Sequence, residues 1–114
     1  MTPAKAWALM PKSVRVGYRV YRFVPITTLE TMEKGISGQA RVIRGEMGIV
    51  NELPAAKMVN TAMHEIMHCI WFLNGLSDGA DEEDAVDMMA NGMCALMLDN
   101  PKLFAWMKKI LESQ

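Results

Sequence analysis

His64, Glu65 and His68 are the residues whose types and spacing can do chemistry together. Residues four apart on a helix lie one turn above the other on the same face. The two imidazoles can therefore offer ring nitrogens to one cation, and zinc takes such nitrogens at about 2 Å. Glu65 sits about 100° round the helix from the first imidazole. From there it can reach a water at the cation from the side without competing for the ion. The chain contains only two histidines, and both belong to this motif. Burying two unpartnered imidazoles on an otherwise apolar helix would be costly. The expectation is one zinc ion per chain, held by His64 and His68, with Glu65 as general base for hydrolysis.

A catalytic zinc usually has three protein ligands and one open position. With no third histidine, a carboxylate must complete the set, and Asp78, Asp81, Glu82, Glu83, Asp84 and Asp87 follow the motif. Acidic residues in a first helical turn are favoured by the helix dipole in any case. The spacing singles out one of them. A short connection containing Gly75 should fold the next helix antiparallel onto the motif helix and return its start towards His68. Glu83 and Asp87 are four apart and share a face with Ala90 and Cys94, which reads as apolar and inward-facing. On this reading Glu83 ligates the metal, with Glu82 as runner-up about 100° away. Asp87 accepts the outer N–H of one histidine and fixes its tautomer.

The elements that must position these residues fall into two halves. Residues 14–16 and 19–24 are β-branched and aromatic runs around Gly17-Tyr18, which predicts a hairpin, with Pro25 ending its second strand. Residues 28–34 suit a short helix capped by Thr27 or Thr28 and closed by Gly35. Residues 39–43 and 47–50 read as two more short strands around Arg44-Gly45-Glu46. Helices follow. The first runs from Pro54 to about Leu73, ended by Asn74-Gly75, with Ala55, Met58, Val59, Ala62, Met63, Ile66, Met67 and Ile70 forming an apolar face. A second covers about 82–98, capped by Asp81 or Asp78, and a third starts after Asn100-Pro101. Strands first and helices after imply an α+β fold. A small antiparallel sheet, the hairpin plus two short strands, packs on a three-helix part that carries the motif helix.

The stretch HEIMH followed by EEDAVDMMANGM resembles the gluzincin metallopeptidases, and among them the ImmA/IrrE-type proteins and their short phage-encoded relatives. The likeness spans roughly residues 38–97. It implies a motif helix after a small sheet, and a later helix whose Glu completes the site, here Glu83. In thermolysin-like members the residue four beyond that Glu orients a motif histidine, the place Asp87 takes. The resemblance further implies hydrolysis of peptide bonds in a peptide or protein substrate laid along an edge strand, for which residues 47–50 are the candidate, with an internal strand as the competing reading. It places the protein in the cytoplasm of a bacterium or a phage-infected host. The interval from His68 to Glu83 is shorter than in those families. No His or Tyr follows the second helix to stabilise a transition state. Tyr18 and Tyr21 could substitute from the sheet, although core or surface aromatic is the plainer reading of each.

Composition narrows the field. The 114 residues suffice for a single domain, 51% hydrophobic and 22% charged, with net charge −1. No basic cluster predicts nucleic-acid binding, and no apolar run approaches the length of a bilayer span. Without an export signal, Cys69 and Cys94 are expected as reduced thiols, and twelve methionines as gap-filling side chains. Two other functions compete with proteolysis. A metal-dependent binding or regulatory protein would keep the site without general cleavage, but would not need Glu65. A structural zinc site would need a closed four-ligand shell, and Cys69, adjacent to His68 on a helix, points away from the ion.

Overall fold

The computed structural model of the protein describes residues 1–27, 35, 37–75 and 81–114, apart from the side chains of Glu82 and Val86. The helix expected over 28–34 and the candidate cap Asp78 lie outside the described residues. The chain opens with a helix that sequence reasoning missed, α1 (Pro3–Leu9). The Thr2 hydroxyl accepts from the Lys5 amide at 3.2 Å, and Pro3 occupies the first turn, where its missing N–H costs nothing.

The sheet then begins with the expected hairpin. β1 (Ser13–Val16) and β2 (Arg19–Ile26) pair antiparallel, with Val14 opposite Tyr21 and Val16 opposite Arg19. Val14, Val16, Tyr21 and Phe23 face the core while Arg15, Val20 and Arg22 face out, the period of two that a half-buried strand requires. Pro25 does not end β2, which continues to Ile26. The Phe23 amide points towards the β1 side, donating to the Lys12 carbonyl at 3.0 Å. Pro25, two residues on, has its missing donor on that same side, where β1 has already ended.

The sheet is mixed rather than antiparallel throughout. β3 (Gly38–Arg41) and β4 (Glu46–Val50) form a second antiparallel pair across a turn at Gly45, but β4 lies parallel to β2, giving the order β1-β2-β4-β3. Residues 47–50 are thus internal, and the edge next to the motif helix is β3. Glu46 stands between Arg22 at 3.0 Å and Arg41 at 3.7 Å, a row of charges across three strands. At the opposite edge the Asn100 side chain covers β1. Its amide donates to the Arg15 carbonyl at 2.7 Å, and its oxygen accepts from the Arg15 amide at 2.8 Å, so one side chain satisfies both outward backbone groups.

The three later helices stand where the sequence places them: α2 (Ala55–Leu73), α3 (Glu82–Asp99) and α4 (Pro101–Glu112). The Asp81 carboxylate caps α3 by accepting from the Glu83 and Asp84 amides. α2 is the central beam. Ala55, Met58, Val59, Ala62, Ile66 and Ile70 are buried as expected, although Met67 stays 43% exposed. α4 contributes Leu103, Trp106, Met107 and Ile110 to the same core, and the Trp106 indole donates to the Ala6 carbonyl at 2.9 Å, tying α1 to the end of the chain. A sheet followed by packed helices is an α+β fold. No helix among the described residues is long and apolar enough to cross a membrane.

Candidate metal centre

The motif helix delivers His64 and His68 to solvent and Glu65 to the interior of one hollow. Both imidazoles are exposed, and Glu65 is 6% exposed. The two Nε2 atoms converge to 3.1 Å, with the rings 4.8 Å apart and inclined at 75°. That separation is a hydrogen-bond distance, and it also suits one shared cation. Two nitrogens at about 2.0–2.1 Å from a tetrahedral zinc would lie about 3.3 Å from each other. The ligand atoms of His64, Glu65 and His68 all fall within 4.8 Å of one another, close enough for the carboxylate to reach a water shared with the imidazoles. The donor set, two imidazoles and a carboxylate, therefore fits a divalent ion. Its identity as zinc is an inference from ligand type.

Glu65 is set by a close approach of strand and helix. A Cβ at Gly38 would come within 2.7 Å of Thr61 Cγ2, 3.0 Å of the Gly48 carbonyl and 3.1 Å of Glu65 Oε2. Only a residue without a side chain lets β3 lie this near α2. Thr61, one turn before Glu65, is 4% exposed, and its hydroxyl has no hydrogen-bond partner among the described residues. Gly38 and Thr61 were missed by sequence reasoning. The one available signal was a glycine at the start of a short strand.

Two hollows meet at Glu65. One, of about 710 Å³, is lined by Gln39, Ala40 and Val42 of the sheet edge and by His68, Trp71 and Phe72 of α2. The other, of about 260 Å³, is lined by Ser37, Lys57, Asn60 and Thr61. His64, Glu65 and Gly38 belong to both walls.

The structure does not bring Glu83 or Asp87 of α3 into this group. Glu83 and Asp87 are exposed, as are Ala90 and Cys94, so the face expected to point inward points to solvent. The inward side of α3 carries Ala85, Met89, Gly92, Met93 and Leu96 instead. Bulky methionines and a leucine bury more apolar area than alanine and cysteine, and they decide the phase of the helix. α3 meets α2 where a Cβ on Gly92 would stand 2.6 Å from Ile70 Cγ2. Ile70 lies about 200° round α2 from His68, on the far side from the imidazoles, and Glu83 is nine residues, about 13 Å of helix rise, before that contact. The side chain of the runner-up, Glu82, lies outside the described residues.

The remaining candidates resolve differently. Tyr18 is 78% exposed, Tyr21 is fully buried, and neither lines the two hollows. Cys69 is buried and faces away from the imidazoles, as expected, against Tyr21 in the sheet. Burial pushes the Tyr21 phenol up to about 12 and the Cys69 thiol up to about 11, so both stay neutral core groups. Cys94 is exposed, and both thiols are free. Comparison of the chain with protein-family models, with curated proteins and with solved structures found no match in any of the three.

Proposed function

We propose that the protein is a zinc-dependent metallopeptidase with His64 and His68 as metal ligands and Glu65 as general base. The observation that carries this reading is the convergence of two imidazole nitrogens and one enclosed carboxylate beside β3, the edge strand of the sheet among the described residues. Zinc, when bound, would lower the pKa of a coordinated water and polarise a carbonyl. The chain's own part is positional. Glu65, held against Gly38, takes a proton from the attacking water and passes it to the leaving amine. β3 offers its outer backbone N–H and C=O groups to an extended peptide, whose side chains would enter the hollow of Trp71 and Phe72. Glu83, the ligand implied by resemblance to gluzincins, stands outside this group.

A second reading has one observation in its favour. No Tyr, Arg or third His lines either hollow among the described residues, so the charge that develops on a cleaved carbonyl lacks the usual side-chain stabiliser. A metal-binding regulatory protein would need none. Glu65→Gln separates the two, because it keeps the side-chain shape and removes the base. For the peptidase, zinc binding persists and cleavage of a peptide library falls by about a hundredfold or more, the size of a general-base contribution. Equal zinc-dependent hydrolysis by both proteins contradicts the mechanism, and no hydrolysis by the parent supports the regulatory reading.

A further inference from the structure

The two hollows that share Glu65 differ in chemistry. The larger is walled by Trp71, Phe72, Val42 and Ala40, whereas the smaller is lined by the polar residues Lys57, Asn60 and Ser37, with Thr61 behind them. Lys57, Thr61, His64 and His68 recur at helical spacing along one stripe of α2. Lys57 is exposed and has no ion-pair partner among the described residues. The Thr61 hydroxyl in the same wall is enclosed and has no hydrogen-bond partner among the described residues. Among the described residues Glu65 is the only acid in the lining, and it is seated against Gly38. A lysine with no ion-pair partner among the described residues, an amide and the Ser37 side chain around about 260 Å³ make a place for a small anion with several acceptor oxygens.

We propose that this hollow is a carboxylate subsite, which selects peptides bearing a negative charge one or two residues from the bond held at His64 and His68. It rests on the reading of the His pair as the reacting centre. The spacing supports it. Lys57 and His64 are separated by about 10 Å of helix rise, and both line the hollow. An extended peptide advances about 3.3 Å per residue, so a carboxylate one or two residues along falls within reach. The charge has two sources, a C-terminal carboxylate or an Asp or Glu side chain.

Three peptides distinguish them: N-acetyl-Ala-Phe-Ala as the free acid, the same peptide as its amide, and the amide with Asp in place of the last Ala. Binding is measured by calorimetry on the Glu65→Gln protein with one equivalent of zinc present, so that no turnover intervenes. At least one charged peptide should bind about five- to tenfold more tightly than the neutral amide, the range of an exposed charge-assisted contact, and added salt should shrink the difference. Preference for the free acid alone assigns a C-terminal carboxylate, and preference for the Asp amide alone assigns an acidic side chain. In Lys57→Met, which keeps most of the aliphatic stem, the preference should vanish while zinc stoichiometry stays the same. Equal binding of all three peptides, no measurable binding of any, or a preference that survives in Lys57→Met overturns the proposal. Because the readout is binding, a parent protein that cleaves nothing would defeat the peptidase reading while leaving this subsite standing.

Discussion

α2 and α3 are neighbours in the chain and nearly equal in length, 19 and 18 residues, yet they hold their side chains in different ways. α2 is gripped by the sheet, by α1, by α3 and by α4, and its apolar residues recur at one helical spacing. Each position on it consequently has one orientation, and His64, Glu65 and His68 inherit that definition. α3 has apolar residues nearly all round, leaving Met88, Met97 and Leu98 exposed while Leu96 is buried. The phase of such a helix is set by which of its apolar side chains are largest, so side chains placed on it by spacing alone are poorly determined. Chemistry that needs sub-ångström placement belongs on the first kind of helix.

The largest effect expected from this contrast is at the imidazoles. His64→Ala or His68→Ala should abolish zinc binding, read as metal content per chain after dialysis, because one remaining imidazole is a weak ligand. Retention of a full equivalent in either variant would move the metal elsewhere. Next comes the seat of Glu65. Gly38→Val must displace Thr61, Glu65 or the Gly48 carbonyl, and should cost about 1–3 kcal/mol in denaturant unfolding and weaken zinc binding as well. An unchanged midpoint would show that β3 does not press on α2.

How much of this arrangement could be read beforehand differs by element. The motif helix was legible because Pro54, the apolar stripe and Asn74-Gly75 mark its start, face and end. The β1–β2 hairpin was legible because its strands are adjacent in sequence. The parallel pairing of β2 with β4 was not, since nothing local in residues 46–50 names a partner across an intervening strand. Pro25 was misjudged because its tolerance depends on where β1 stops. The inward face of α3 was misassigned because Ala90 and Cys94 look apolar in a list, whereas Met89, Met93 and Leu96 are the larger groups to bury. The place of Gly38 depends on a tertiary contact that no spacing encodes.

Two smaller effects sharpen the contrast. The buried Cys69 of α2 and the exposed Cys94 of α3 should differ in alkylation at mild alkaline pH, Cys94 reacting quickly and Cys69 only as the protein unfolds. The same burial makes stability depend on pH. Cys69 and Tyr21 are raised from 9.0 and 10.0 to about 11 and about 12, so the unfolded chain loses these protons first. Their contribution is complete below about pH 9 and is lost as pH rises through 11 to 12. Tyr21→Phe should flatten the upper part of that decline in unfolding experiments, and a decline unaltered by the substitution would place the titrating group elsewhere. The smallest effect belongs to α3. Glu83→Ala and Asp87→Ala should change zinc affinity by less than about threefold, the size of a distant surface charge. A loss of tenfold or more at Glu83 would mean that α3 turns to supply the third ligand.

X-ray absorption at the zinc edge tests the central claim most directly, because it reports the atoms that surround the ion. For zinc-loaded protein the account predicts two imidazole ligands at about 2.0–2.1 Å, the rest of the shell oxygen, and no sulfur at about 2.3 Å. In His64→Ala the imidazole-ligated zinc should be absent. A sulfur shell, or a spectrum with no imidazole scattering, would contradict a centre built from His64 and His68 on α2.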